Sequence, residues 1–504
     1  MHFVPSAGRR AAAAALACLV LAGCTRPAVL QPEPPAESTS AGAAGTAQPV
    51  PFAIAVSEGG VNPYLTPNTL AEQAAGLLFE KLVRITPRME LEMRLAESVS
   101  CAGTAVTIRL RAGCTFADGV PVTADDVAAS LLAAKASAFY GARLTNLADA
   151  QAVGEDTVLL TLNEPDSLFG YLLDLPILKA AETAAPRPTP GGRYAYGASD
   201  AALTKNPRAP FPEEDGPDTI LLTPVSDYAE LVTQLAMGQI SFYLAQEHAS
   251  SAVATSERYY RTNTLLFLGV NASADNPLCA AAAGRRALSA ALSRRALADR
   301  FASAAPALGA LNGLYPCVRG SQSIPEEADS AALAAAMTAL GYRMDEAAGL
   351  WRDADGQSAR VDILACGSSA DRVYSARLLQ QQWAEAGIEV TLTLADDFGV
   401  YLQMVQDRQF ELYIGEMKLY NNIDLAPFWS GSARYGLAVS QTLLDAYAAM
   451  RADSAAAPAF EAAFAQELPY LPLLWQGGVT VARRGARGVA SSVSDLYYAF
   501  EPAP

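Results

Sequence analysis

The order strand, helix, strand between residues 361 and 394 constrains the fold of this chain more than any other feature. Residues 361–365 predict a buried strand, and residues 371–385 predict a helix that ends before Gly387. Residues 388–394 carry Ile, Val, Leu and Leu in alternation, as a strand with one inward face does. Two strands joined through a helix belong to an α/β sheet, so we expect an α/β fold.

The length of the chain requires more than one hydrophobic core. The chain has 504 residues, and a single core stops growing at roughly 250 to 300 residues. Hydrophobic residues make up 51% of the chain, enough for most of it to fold. We expect at least two lobes. The strand predicted at residues 265–270 and the alanine-rich helix at residues 284–301 mark the start of the second.

Further elements are predicted in the first half of the chain. Residues 52–56 predict a strand that the Glu-Gly-Gly sequence at residues 58–60 interrupts, and residues 104–110 alternate as a half-buried strand does. Thr69 and Glu72 have the spacing of a capping box, which predicts the start of a helix.

Two more helices are predicted together with their ends. Thr123 is the predicted N-cap of a helix at residues 124–135. Ser226 is the predicted N-cap of a helix at residues 227–237, which Gly238 terminates.

The N-terminal sequence predicts export and lipidation. Arg9 and Arg10 precede an apolar run at residues 11–22 that is too short to cross a bilayer. The run ends in Leu-Ala-Gly-Cys24, which resembles the lipobox of bacterial lipoproteins. We expect residues 1–23 to be a signal peptide and Cys24 to carry a lipid anchor that holds the protein on the extracytoplasmic side of the membrane, periplasmic or at the cell surface. An ordinary signal with an incidental cysteine is the alternative.

Residues 24–51 are rich in Pro, Ala, Ser, Thr and Gly, a composition typical of a flexible tether. No other segment approaches the ~20 continuous apolar residues of a transmembrane helix. The net charge is −16, and such a surface repels polyanions, so no nucleic acid partner is expected.

The cysteines and histidines predict neither a metal site nor a cofactor. Five cysteines follow Cys24, and their spacings match no zinc pattern. Disulfides between Cys101 and Cys114, or between Cys279 and Cys317, are candidates in an extracytoplasmic protein, and buried free thiols are the alternative. The chain has 2 histidines and no nucleophile elbow, HExxH, P-loop or dinucleotide turn in context, so we expect no enzymatic activity.

Several short sequences occur in an order that resembles one protein family. They are Leu-Phe-Glu-Lys-Leu at residues 78–82, Phe-Ala-Asp-Gly at 116–119 followed by Thr-Ala-Asp-Asp-Val at 123–127, Leu-Gly-Val-Asn at 268–271, and Leu-Pro-Tyr-Leu-Pro-Leu at 468–473. Each is weak alone. Their order and spacing over nearly all of the predicted mature chain resemble extracellular solute-binding protein family 5, the oligopeptide-, dipeptide- and nickel-binding proteins of ABC importers.

The resemblance implies a two-lobed, periplasmic-binding-protein-like α/β fold of type II, with mixed sheets and closure about a hinge. It implies a first lobe at residues 52–264 with a subdomain at about 80–190, a second lobe at 265–478, and a return to the first lobe at 479–504. The implied function is capture of a peptide or similar small organic solute between the lobes and its delivery to ABC permease subunits. A ligand-sensing receptor subunit of the same fold, or a binder of a sugar or a metal chelate, is the alternative.

Candidate ligand-binding residues lie in two loops, because ligands of α/β sheets bind beyond the carboxyl ends of strands. Ser57, Glu58 and Gly59 follow the first predicted strand. The resemblance implies that backbone groups of this loop pair with an extended ligand. A tight turn is the alternative explanation for Gly59.

The second loop follows a strand predicted at residues 410–414. The resemblance places Asn421 where peptide-binding relatives have an aspartate for the ammonium group of the ligand. A neutral amide accepts a hydrogen bond without charge assistance. Its neighbour Asn422 is a further polar candidate, and Asp424 either supplies the carboxylate or caps a short helix.

Three more side chains in the same stretch are candidates. Lys418 either pairs with a carboxylate of the ligand or is an ordinary surface lysine. Tyr420 and Trp429 either form apolar walls of the site or belong to the core of a lobe.

Overall fold

The structure is a computed structural model that describes residues 51–57, 60–66, 68–199, 201–245, 255–429 and 437–502. Its first elements are β1 (Phe52–Ser57), α1 (Thr69–Leu78), β2 (Val83–Ile85) and β3 (Leu91–Met93). β1 is buried almost along its whole length, as a central strand of a covered sheet is. The strand predicted at residues 52–56 is confirmed.

A separate antiparallel sheet follows, with the strand order β4-β5-β7-β6. Its elements are β4 (Ala96–Ala102), β5 (Ala105–Leu110), α2 (Ala124–Ala136), β6 (Leu147–Val153) and β7 (Thr157–Leu162). Val106, Ile108 and Leu110 are buried, which confirms the alternation predicted for this strand. The predicted cap of α2 is confirmed as well, because the Thr123 N–H donates to Asp126 Oδ2 over 2.9 Å.

The next elements extend the sheet that contains β1. They are β8 (Tyr194–Tyr196), β9 (Ala202–Lys205), β10 (Thr219–Val225), α3 (Tyr228–Ala236) and β11 (Phe242–Ala245). β1 pairs in parallel with β10 and β11, while β9 is antiparallel to both β10 and β8. Ser226 is not the cap of α3. That cap is Asp227, whose carboxylate accepts from the Glu230 N–H over 2.8 Å.

The rest of the chain builds a second sheet region and its covering helices. The elements are β12 (Thr255–Val270), α4 (Pro277–Ala280), α5 (Ala282–Ala290), α6 (Arg294–Ala298), β13 (Ala305–Pro306), α7 (Ser330–Ala339), β14 (Arg343–Asp345), β15 (Leu350–Arg352), β16 (Arg360–Cys366), α8 (Ala370–Glu385), β17 (Glu389–Ala395), α9 (Phe398–Gln406), β18 (Leu412–Lys418), α10 (Ala426–Trp429), α11 (Gln441–Ala452), α12 (Ala457–Glu467), β19 (Tyr470–Arg483), β20 (Val489–Ala490) and β21 (Ala499–Phe500). Short 3₁₀ helices lie at Gly141–Leu144, Phe169–Leu172, Ala180–Glu182 and Ser454–Ala456.

The predicted strand, helix, strand order is confirmed, since β16 and β17 are parallel and α8 connects them. The single helix predicted at residues 284–301 is wrong in one respect. It is divided into α5 and α6, because the Ser293 hydroxyl accepts from the Ala296 N–H and starts a new helix. Leu394 of β17 is 43% exposed although its pattern predicts an inward side chain, because β17 is the edge strand of its sheet.

One mixed sheet runs through both halves of the described chain, with the order β17-β16-β18-β12-β19-β11-β1-β10-β9-β8 and β13 beside β19. We call the part built on β1 and β8–β11, with the β4–β7 sheet, the first lobe, and the part built on β16–β18 the second lobe. The two long strands β12 and β19 pair antiparallel and pass from one lobe to the other, with a register shift between Arg261 and Thr264. The two-lobed α/β fold is therefore as expected. The lobe boundaries predicted at 264/265 and 478/479 fall within these crossing strands, and a hinge there remains a prediction.

The five described cysteines, Cys101, Cys114, Cys279, Cys317 and Cys366, are free thiols, so neither candidate disulfide is present. Burial raises the pKa of the Cys279 thiol to about 12, which makes it an unreactive core residue. Cys24, the predicted signal sequence and residues 25–50 of the predicted tether lie outside the described residues. Within the described ranges, no helix is both long and apolar enough to cross a bilayer.

Candidate functional site

A cavity of about 480 Å³ lies between the lobes, within the size range of small-molecule sites. The first lobe contributes α1, the loop after α2 and a C-terminal segment at residues 492–496. The crossing strand β12 contributes Tyr260 and Asn263, and the second lobe contributes residues 418–421 at the end of β18. The cavity therefore collects side chains from both lobes and from the strands between them.

Tyr260 contributes to the cavity wall where β12 crosses β19. Its ring packs over Gly478, where a Cβ atom would stand 2.2 Å from the ring. Only glycine admits this approach of an aromatic ring to the backbone. Burial raises the pKa of Tyr260 to about 12, so its hydroxyl is a neutral group at physiological pH.

Asn421 holds the two lobes together across the cavity. Its Nδ2 donates to Asp174 Oδ2 of the first lobe over 3.1 Å, and its Oδ1 accepts from Asn263 Nδ2 over 3.2 Å. Its carbonyl oxygen accepts from the Tyr315 hydroxyl over 2.8 Å. A carboxylate thus lies beside Asn421, but it is supplied by Asp174 from the opposite lobe.

Two of the carboxylates that line the cavity are neutralised by arginines. Asp174 is 4% exposed and forms an ion pair with Arg143. Asp495 pairs with Arg193 over 3.0 Å and with Arg84 over 3.7 Å. Neither acid offers an uncompensated charge, because buried ion pairs of this kind satisfy their own members.

Glu72 differs from both acids because of how α1 begins. The N-cap is Asn68, whose side chain accepts from the backbone N–H groups of Leu70 and Ala71 over 2.7 and 3.1 Å. The capping box predicted for Thr69 and Glu72 is therefore wrong, and the Glu72 carboxylate lines the cavity instead. Among the described residues no hydrogen bond or ion pair reaches this carboxylate. Desolvation raises the pKa of Glu72.

A cluster of paired polar groups adjoins the cavity. It consists of Asp166, Asn422 and Arg451, and we call it the seam. Asp166 of the first lobe is 1% exposed, accepts from Asn422 Nδ2 over 2.8 Å and forms an ion pair with Arg451. The guanidinium of Arg451 also donates to the Asn422 carbonyl over 2.7 Å. Asn422 thus lies in this seam.

The other predicted site residues do not all line the cavity. Lys418, Tyr420 and Asn421 line the cavity, and Tyr420 is 42% exposed. The Asp424 carboxylate accepts from the Ala426 N–H over 2.8 Å at the start of α10 and from the Tyr447 hydroxyl, which is the capping alternative.

Trp429 packs in the core of the second lobe, with its ring 5.1 Å from that of Tyr447 and 6.5 Å from that of Phe460. Ser57 ends β1, and its hydroxyl accepts from Asn68 Nδ2 over 3.0 Å. Glu58 and Gly59 lie outside the described residues.

Sequence reasoning missed the cavity residues that do not follow a strand. Glu72 lies in a helix, Arg143 lies in the 3₁₀ helix Gly141–Leu144, Asp174 lies in the loop after Phe169–Leu172, and Asp495 lies in the C-terminal segment. The spacing of Thr69 and Glu72 is visible in the sequence, but it predicts helix capping and not a cavity residue. No local pattern marks Arg143 or Asp174, because each is defined by a partner far along the chain. In the described part of the chain no group of three or more His, Cys, Asp or Glu side chains forms a metal site.

Sequence comparisons identify a family and relatives of this chain. The model of the bacterial extracellular solute-binding proteins, family 5, matches residues 90–430. The glutathione-binding protein GsiB of Escherichia coli strain K12 is 32% identical over 155 residues, which are 30% of this chain and 30% of that protein. GsiB of Shigella flexneri is 32% identical over 164 residues, 32% of this chain and 31% of that protein. The matched part thus spans less than a third of each curated relative.

Solved structures match over most of the chain. A nickel ABC transporter protein from Bacillus halodurans superimposes with a TM-score of 0.71 at 18% identity, covering 90% of this chain and 98% of that one. The unliganded open form of the periplasmic murein tripeptide binding protein MppA gives 0.70 at 16% identity, covering 87% and 94%. NikA from Brucella suis with Fe(III)-EDTA gives 0.64 at 17% identity, covering 90% and 99%. At these identities the likeness shows the fold.

Proposed function

This chain belongs to the bacterial extracellular solute-binding proteins of family 5, and from that membership we propose that it captures a peptide or similar small organic solute between its lobes and delivers it to an ABC permease. Members of this family are extracytoplasmic binding proteins of ABC importers and not enzymes. The observation that carries the proposal is the cavity of about 480 Å³ whose lining comes from both lobes.

Capture requires that the ligand favours one arrangement of the lobes. A ligand shifts an equilibrium only by its differential affinity for the two states. A solute that contacts α1 of the first lobe and Lys418 to Asn421 of the second lobe binds the closed arrangement more tightly than an open one. Closure of this kind gives the permease a surface that distinguishes loaded from empty protein.

A peptide-like solute is supported by the relatives and by the polarity of the cavity. The curated relatives are named glutathione-binding proteins, and solved neighbours include an oligopeptide-binding protein from Bacillus subtilis in complex with a nonapeptide. The cavity carries acids, bases and amides beside Tyr260 and Tyr420, a mixture that fits charged ends and amide groups better than a purely apolar solute.

We further propose that Cys24 carries the lipid anchor and that residues 24–51 tether the body to the membrane. The support is the sequence Leu-Ala-Gly-Cys24 at the end of a short apolar run. Mass spectrometry of the mature N-terminus tests this proposal. Cleavage before Cys24 with an added diacylglyceryl mass is expected, and cleavage elsewhere without acyl chains contradicts it.

The capture proposal is tested by thermal unfolding of the purified chain with di- to pentapeptides, glutathione, sugars and metal chelates. A ligand at 100 times its Kd stabilises the folded protein by about 2.7 kcal/mol, so the melting temperature rises measurably. A rise with peptides or glutathione is the expected result. A rise only with sugars or chelates would keep capture but overturn the peptide assignment, and no rise with any solute would overturn capture by this cavity.

A further inference from the structure

The ionisable side chains that line the cavity are not equally satisfied. Arg143 pairs with Asp174, and Asp495 pairs with Arg193 and Arg84. The two remaining ionisable side chains with acidic or basic charge are Glu72 on the first lobe and Lys418 on the second. Among the described residues neither of them has a hydrogen-bonding or ion-pairing partner for its charged group.

Glu72 is placed to meet a cation. It lies in the first turn of α1, where the positive end of the helix dipole favours a carboxylate. The buried Lys81 is the base that most lowers the pKa of Glu72, but its ammonium donates to the Ser494 carbonyl over 2.5 Å and forms no ion pair with Glu72 within 4.0 Å. Arg143 is engaged by Asp174. A partly buried carboxylate without a partner is costly, and a cationic ligand group removes that cost.

Lys418 is placed to meet an anion from the other side. It is the last residue of β18 and pairs across the strands with Thr264 of β12, next to the point where the strands cross between lobes. Its side chain is exposed, and it is part of the cavity lining. An ammonium group at this position is available to a carboxylate without breaking any contact in the protein.

We propose, resting on the function proposed above, that the cavity selects a zwitterion, with the cationic end bound by Glu72 and the anionic end by Lys418. Because the two residues belong to different lobes, one ligand that holds both charges connects the lobes. A ligand that lacks either charge leaves one of the two residues without a partner and favours closure less. The site therefore binds both charged ends of a short peptide. Asn421 is already hydrogen-bonded to Asp174 and does not bind the ammonium group.

A capping experiment separates the two charges. Alanine peptides of two to five residues are titrated calorimetrically into the full chain, purified in detergent, in four forms: free, N-acetylated, C-amidated, and capped at both ends. Each form is measured with wild type, Glu72→Gln and Lys418→Met. Glu97→Gln, an exposed carboxylate of β4, and Lys205→Met, a surface lysine paired with Asp218, are the matched controls.

The expected result is a crossed pattern. Acetylation weakens binding to wild type by about 10-fold or more, because it removes the ammonium that forms a charge-assisted hydrogen bond with Glu72. It changes binding to Glu72→Gln little, because that variant has already lost the same hydrogen bond. Amidation does the same for Lys418→Met. Binding of the free form releases protons, because an ammonium group returns the raised pKa of Glu72 toward its usual range. The observed binding enthalpy therefore differs between buffers that have different ionisation enthalpies.

Three results overturn the inference in distinguishable ways. If the free form and the three capped forms all bind wild type equally, zwitterion selection is wrong while peptide capture stands. If Glu72→Gln weakens the free and acetylated forms to the same extent, Glu72 serves the protein through Lys81 rather than the ligand. If no alanine peptide binds while a sugar or chelate does, the peptide function fails together with the inference.

Discussion

The seam around Asp166 and the cavity around Glu72 lie between the same two lobes, yet the carboxylate of Asp166 is paired and that of Glu72 is not. At the seam, Asp166 has Arg451, Asn422 and the Leu168 N–H as partners. In the cavity, Glu72 has none among the described residues. Paired charges hold the lobes in contact without a ligand, whereas unpaired charges are satisfied only when a ligand arrives. The partner, more than the residue type, decides whether a buried carboxylate serves the fold or the site.

The largest effect is expected at the seam, from Asp166→Asn. Asparagine keeps the size of the side chain but leaves the buried guanidinium of Arg451 without a carboxylate. Breaking such a buried pair lowers the free energy of unfolding by about 3 to 5 kcal/mol. Denaturant unfolding measures this loss. The control is Asp156→Asn, which removes an exposed carboxylate paired with Arg109 over 3.5 Å and should cost at most about 1 kcal/mol. Equal small losses in both variants would mean that water reaches the seam in solution.

A smaller effect is expected from Asn421→Asp, which introduces the aspartate that the family resemblance implies at this position. The new carboxylate would lie where Asn421 Nδ2 now donates to Asp174 Oδ2 over 3.1 Å. Two adjacent carboxylates cannot both ionise without a penalty, so one pKa rises in the folded state. The folded protein then holds an extra proton, and the loss of stability, about 1 to 3 kcal/mol, grows as the pH rises above the unfolded pKa and shrinks in acid.

Asn421→Ala is the matched control for this variant, because it removes the hydrogen bond without adding a charge. Its loss of unfolding free energy should not depend on pH between about 4 and 8. A gain in stability for Asn421→Asp, or a loss independent of pH, would mean that Arg143 can neutralise both carboxylates.

The sequence predicted the elements of this fold better than the chemistry of its cavity. The pair β16 and β17 with α8, and the cap at Thr123, depend on residues close together in the chain, so local patterns reveal them. The capping box predicted for Thr69 and Glu72 is wrong because the same spacing occurs when the glutamate lines a cavity instead. The structure distinguishes the two cases only because Asn68 occupies the cap.

The other cavity residues could not be predicted from short sequence patterns, because their partners lie far away along the chain. Arg143 and Asp174 are 31 residues apart, and Asn421 and Asp174 are 247 apart. Each group acquires its role from a contact that forms only after the lobes have folded and met. Lys418, Tyr420 and Asn421 could be predicted because they lie at or just after the end of a strand, where ligands of α/β sheets bind.

Glu72→Gln tests whether the cavity carboxylate is unpaired, through the pH dependence of the unfolding free energy. The pKa of Glu72 is raised in the folded state, chiefly by desolvation, so the folded protein binds more protons than the unfolded chain once the pH exceeds the unfolded pKa. Glu72 therefore lowers the unfolding free energy of wild type as the pH rises through this window, and the glutamine variant lacks that contribution. The variant should match wild type in acid and exceed it above neutral pH, while Glu97→Gln stays parallel to wild type. A variant less stable than wild type at high pH would show that Glu72 stabilises Lys81 in the fold.

The smallest effect on stability is expected from Lys418→Met. A small effect would show that the Lys418 ammonium has no structural partner. No described residue loses a partner when this ammonium is removed, so the free energy of unfolding without ligand should change by no more than about 0.5 kcal/mol. Arg451→Met at the seam is the contrasting variant, since it leaves Asp166 buried without its cation and should cost several times more. If Lys418→Met costs as much as Arg451→Met, the ammonium of Lys418 has a structural partner in solution. The division between a paired seam and an unpaired cavity would then fail on the second lobe while still standing for Glu72 on the first.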